Sequence, residues 1–143
     1  MNRFDFWQRW LLGLSLVIIV FGLGMAVLNS TPLFEPLNRQ VDPVFWGSQP
    51  VPEAAEAFRG WVYGVMGATM MGWGVFFAFL VKYPLARKER WAWVCMVSGL
   101  LAWYVVDTSI SAYFQVYFNV LFNSLLLVAA VLPLFLIRKA FNA

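Results

Sequence analysis

The chain has 143 residues, of which 62% are hydrophobic and 12% charged, with a formal net charge of +3. A soluble domain is about half apolar and about a quarter charged, and one this small has too little interior to hide so much apolar surface, so lipid is its natural solvent. The absence of histidine removes the commonest metal ligand and general base, and the single cysteine, Cys95, excludes an internal disulfide and CxxC redox chemistry.

The first apolar run, Leu11 to Leu28, predicts a membrane span over about residues 10–29. Arg3 and Arg9 in front of it give the outline of a signal peptide. The run is long, however, and has no small-x-small cleavage site before Asn29, so a retained helix is expected. A loop at about 30–57 follows. Within it Leu33, Leu37, Val41 and Val44 fall on one helical face, and Glu35, Asn38, Arg39 and Asp42 on the other. This spacing predicts a short amphipathic helix lying on the outer surface, with Pro36 in its first turn and Trp46 as an anchor. Pro52 followed by Glu53 and Glu56 reads as a helix start. The second span is predicted over about 58–81, an inner loop over about 82–90, and the third and fourth spans over about 91–110 and about 116–138. The expected fold is all-α, one membrane domain built as a four-transmembrane-helix bundle.

Charge sets the expected direction. Arg3, Arg9, Lys82, Arg87, Lys88, Arg90, Arg138 and Lys139 fall on one side of a four-span chain, and only Arg39 and Arg59 on the other. By the positive-inside rule, both termini and the second loop are cytoplasmic. Basic residues placed this way are a topology signal, and nucleic acid is not an expected partner. Trp7, Trp10, Trp91 and Trp93 would mark one interface, and Trp46, Trp61, Tyr63, Trp103 and Tyr104 the other.

Gly60, Gly64, Ala68 and Gly72 recur every fourth residue, a ridge with almost no side chain on which another helix can pack closely; Gly67 and Gly74 widen the groove. Packing within the monomer is the first expectation, with a dimer seam or a lipid slot as alternatives. Pro133 lacks the N–H that would bond to Ala129 and predicts a kink in the last helix.

Asp107 is the most informative residue. It lies about 24 Å above the inner interface counted from Trp91, and Asn119 and Asn123 lie at about 27 and about 21 Å counted from Ile137. Ser111 is one turn beyond Asp107, Tyr63 reaches a similar height, and the Arg59 side chain can extend toward them. An ionised carboxylate in lipid needs partners. Asp107 is therefore expected to face the bundle and bond to the asparagines, with Arg59 and Tyr63 completing an outward-opening pocket. The competing reading makes Asp107, Thr108, Ser109 and Ser111 the turn between the last two helices.

The pattern Asp107-Thr108-x-x-Ser111, followed by Asn119 and Asn123, resembles one in small uncharacterised bacterial four-helix membrane proteins. The resemblance covers mainly the last two helices, implies no known activity and points to a bacterial inner membrane. The leading functional expectation is a non-enzymatic membrane protein binding a lipid-like or small molecule, or a membrane partner, through the outer-leaflet pocket. Its expected partners are membrane lipid, a homo-oligomer or a larger membrane protein. The alternatives are a small proton-coupled transporter, or a membrane enzyme using Asp107 as general acid or base. No metal or cofactor motif is present, so neither is expected.

Overall fold

Asn2 opens the first helix, its side chain accepting a hydrogen bond from the Asp5 N–H at 2.9 Å. That helix, α1 (Arg3–Leu28), belongs to a computed structural model that describes residues 2–141. Asn29 closes it, donating from its side-chain amide to the Met25 carbonyl at 2.9 Å. A 3-10 turn (Pro32–Phe34) leads into α2 (Glu35–Trp46), where Pro36 occupies the first turn and needs no N–H. Next come α3 (Glu53–Leu80), continued by a π-helical turn over Val81–Leu85, then α4 (Arg90–Tyr113), α5 (Tyr117–Ile137) and a 3-10 turn over Arg138–Phe141.

Four of these elements are long and apolar enough to cross a membrane, at 26, 33, 24 and 25 residues, against the roughly 20 required. At most 28% of the apolar stretch of any one is buried inside the protein. Most of the apolar side chains thus face outward, the reverse of a fold made for water.

One boundary differs from the expected span limits, and another only from the competing turn assignment. The π-helical turn carries α3 through the predicted inner loop, so the α3–α4 connection shrinks to Ala86–Glu89. Lys88 adopts φ 58°, its N–H bonding to Leu85 and that of Glu89 to Pro84, a Schellman closure. The second difference is at the α4–α5 turn. Asp107, Thr108, Ser109 and Ser111 are helical, and the chain reverses at Phe114–Val116 instead. Gln115 takes φ 61°, with its own N–H bonded to Ala112 and that of Val116 to Ser111. One left-handed residue is enough to end a helix, and here it comes after the residues whose side chains favour turns.

The helices alternate in direction. Phe4 stacks on Phe141 at 6.0 Å and Lys88 sits over the Phe4 ring, so the termini and the short α3–α4 turn share one end. α1 lies between α3 and α5, and α4 packs on α5. The main apolar cluster, including Leu11, Phe77, Val81, Leu85, Leu100 and Leu134, fills the half nearer the termini.

The α1–α3 seam is backbone against backbone. A Cβ on Gly22 would lie 2.6 Å from the Met71 nitrogen and 2.7 Å from the Gly67 oxygen, and one on Gly67 would lie 2.5 Å from the Gly22 oxygen. Gly74 is closed in by Ile18 and Ile19. The predicted ridge is therefore corrected. Gly60 and Gly64 face the end of α1, but Gly72 has open space around it and Ala68 is exposed. Steps of four residues drift by about 40° each around a helix of 3.6 residues per turn, so a four-step ridge leaves the partner, whereas Gly60, Gly64, Gly67 and Gly74 stay on the seam through alternating steps of four and three.

Pro133 exposes the Ala129 carbonyl, and α1 supplies the missing donor: Trp10 Nε1 donates to Ala129 O at 2.9 Å. The break in the α5 hydrogen-bond ladder is thereby stitched to the neighbouring helix.

Three outcomes are expected from unfolding titrations in mixed detergent. Gly67→Ala costs about 1–3 kcal/mol, because the added methyl meets rigid backbone. Gly72→Ala is neutral or stabilising by up to about 1 kcal/mol, since it gains helix propensity and meets nothing. Trp10→Phe costs about 1–3 kcal/mol by orphaning the Ala129 carbonyl, and markedly less in a Pro133→Ala background, where the backbone N–H returns.

Candidate functional site

Asp107 and Ser111 stand one turn apart on α4, and Asn119 and Asn123 one turn apart on α5. Antiparallel packing brings the pairs together. The Asp107 carboxylate accepts at one oxygen from Asn123 Nδ2 at 2.7 Å, Asn119 Nδ2 at 2.8 Å and Ser111 Oγ at 3.3 Å. Asn119 also donates to Ser111 Oγ at 2.8 Å, and Asn123 approaches Thr108 Oγ1 at 3.4 Å. Asn123 and Ser111 are buried and Asp107 is partly buried. Two further rungs bind the same helix pair, Tyr104 to Ser124 at 3.1 Å and Trp93 Nε1 to Leu134 O at 2.8 Å. The cluster is a clasp between α4 and α5, charge-assisted and internally satisfied.

Arg59 and Tyr63 are not part of it, contrary to expectation. α3 packs mainly on α1, and Arg59 finds a nearer carboxylate: its Nη1 bonds Asp42 on α2 at 2.5 Å, with both side chains about three-quarters buried. Among the described residues, Asp107 takes part in no ion pair.

Arg59 and Tyr63 instead line a cavity of about 530 Å³ at the end of the molecule away from the termini. Asn29, Ser30 and Thr31 at the end of α1 form one wall, Glu35, Asn38 and Arg39 of α2 a second, and Glu56, Arg59, Gly60 and Tyr63 of α3 the third. The 33 residues from Glu53 to Leu85 span about 50 Å, well beyond a hydrocarbon layer of about 30 Å, which leaves the start of α3 free to carry charge.

Helix α2 covers one side of this cavity, with Asn38 and Asp42 turned inward, Glu35 and Arg39 exposed at its rim, and Leu37 and Val41 half-buried. Asn38 is buried, Asp42 reaches Arg59, and Glu35 and Arg39 form an i,i+4 pair at 3.1 Å. Leu33 and Val44, on the apolar face, are exposed, and Phe45 reaches across to the Phe114 ring at 6.1 Å. Sequence periodicity identified the two faces. The Asp42–Arg59 ion pair to the polar start of α3 sets how α2 is rotated over the cavity.

The chain is thus a bundle with four helices able to cross a membrane, a polar clasp in one helix pair and a roofed polar chamber beside the other. No protein-family model, curated protein or solved structure matches it. Asn38 is the chamber residue that sequence reading left on a solvent-facing surface; its place beside Asp42 at i,i+4 was the available signal.

Removing one member of the clasp leaves a polar group without its partner. Asn123→Leu is expected to cost about 1–3 kcal/mol, and the Asp107→Leu/Asn123→Leu double variant less than the sum of its parts, as read by a double-mutant cycle of detergent unfolding.

Proposed function

We propose that the chain is an integral membrane protein that binds a small polar molecule or a lipid headgroup in the chamber beneath α2. The membrane is the bacterial inner membrane, and the chamber opens on the side opposite the termini. Eight of the ten basic residues belong to the end with the termini and the α3–α4 turn, which supports a cytoplasmic position for that end and an external one for the chamber. The outward-facing Leu33 and Val44 of α2 suit a helix resting at the headgroup level.

The observation that carries the reading is the chamber itself. Its volume of about 530 Å³ falls within the range of roughly 300–1,000 Å³ usual for small-molecule sites, and charged and amide side chains from three elements converge on it. A second copy of the chain or a larger membrane protein is a natural neighbour for helices that expose so much apolar surface.

Transport or acid–base chemistry at Asp107 has less support. The carboxylate is held by three donors on its own helix pair, and the acid Glu56 lines the chamber rather than the clasp.

Two measurements test the proposal. In a Cys95→Ser background, a membrane-impermeant maleimide should label Gln40→Cys in intact cells and Arg87→Cys only after permeabilisation; the reverse pattern overturns the orientation. Native mass spectrometry of gently extracted protein should show a bound lipid or small molecule that is lost in Gly60→Trp, whose bulk fills the chamber. Equal retention by both proteins overturns the binding site.

A further inference from the structure

We infer that the chamber takes a ligand bearing an ammonium group with hydrogens to donate, either a free primary amine or the headgroup of an aminophospholipid. The inference rests on the chamber being a binding site and concerns what fills it.

Charge is the first argument. Both guanidinium groups on the walls are already engaged, Arg39 by Glu35 at 3.1 Å and Arg59 by Asp42. Glu56 lines the chamber and takes part in no ion pair among the described residues. The chamber and its immediate partner therefore present three carboxylates, Glu35, Asp42 and Glu56, against two guanidiniums, Arg39 and Arg59. An anionic ligand would have to displace Asp42 from a largely buried ion pair, or compete with Glu35 for the exposed Arg39, and would in either case sit beside the unpaired Glu56. A cation meets a carboxylate that has no other partner.

The second argument is independent of charge. Among the described residues, the buried side-chain polar atom left without a hydrogen-bond partner is Asn38 Oδ1, and Asn38 lines this chamber. Asn38 is only 9% exposed. A buried acceptor without a donor costs free energy, and a donor that reaches Asn38 Oδ1 from the chamber recovers it. A primary ammonium supplies three N–H donors. It can therefore serve Glu56 and Asn38 together, whereas a quaternary ammonium has no N–H and can answer only the charge.

The test uses the full chain in nanodiscs, with wild type, Glu56→Gln, Asn38→Leu and Gly60→Trp compared by native mass spectrometry. Glu56 is exposed, so its variant tests the ligand without disturbing the core. In discs mixing phosphatidylethanolamine, phosphatidylcholine and phosphatidylglycerol, wild type should retain the ethanolamine lipid about tenfold over either other lipid. That preference should fall about tenfold in Glu56→Gln and in Asn38→Leu, the scale of one charge-assisted hydrogen bond. In phosphatidylcholine discs, added ethanolamine distinguishes the sources: retention of the free amine with no selection among lipids assigns a soluble ligand, and lipid selection assigns the headgroup. Preference for phosphatidylglycerol, or retention of the ethanolamine compounds unchanged by Glu56→Gln, overturns the ammonium class while leaving the chamber as a site. If wild type retains nothing that Gly60→Trp loses, the binding-site reading itself fails.

Discussion

A carbonyl or carboxylate among apolar groups must find its donor within the protein, because hydrocarbon offers none. This constraint explains the bonds that hold the bundle together better than any count of apolar contacts. Pro133 frees the Ala129 carbonyl on α5, and Trp10 on α1 answers it. Asp107 on α4 is answered by two asparagines on α5. Trp93 crosses from α4 to the Leu134 carbonyl, and Gln8 from α1 to the Val81 carbonyl where the π-helical turn begins. Each of these bonds also fixes a helix–helix register, since the donor and acceptor heights must agree.

Apolar packing does the complementary task. Between α1 and α3 no side chain crosses at the tightest point; Gly22 and Gly67 let the backbones meet. Contact this close turns many weak dispersion terms into a rigid pair, and only residues without a Cβ permit it. Its rigidity matters at the far end, where the start of α3 and the end of α1 form two walls of the chamber. The roof, α2, is attached differently, through the Asp42–Arg59 ion pair and a few aromatic contacts rather than a packed seam. Walls set by glycine packing beneath a roof held by charge make a site whose cover is its least strongly held part.

Polar satisfaction also separates the two sites. The clasp around Asp107 has its donors, binds α4 to α5, and has the character of structure. The chamber contains a buried acceptor with no donor and a carboxylate with no cation, and an unsatisfied set of this kind is what a ligand can complete. Conformational strain does not distinguish them, since the left-handed residues Lys88 and Gln115 both belong to connecting turns.

The amino-acid sequence determined the solvent and the helices. Four apolar runs, spaced by charged or turn-forming stretches, are a local property that hydropathy records directly, and so is the two-faced period of residues 33–44. It also determined which polar groups would need company, because a carboxylate beside VV and a proline inside an apolar run are conspicuous wherever they fold. Tertiary structure decided who keeps that company. Depth along each helix is countable from the sequence, but azimuth and neighbour order are not, and Arg59 and Tyr63, expected beside Asp107, line the chamber with α1 and α2 instead. The glycine seam likewise depended on a helical phase that drifts with every four-residue step. The chamber depends on how an amphipathic helix is rotated over the end of α3, and that rotation is set by Asp42 meeting Arg59, a contact between residues 17 positions apart in the chain.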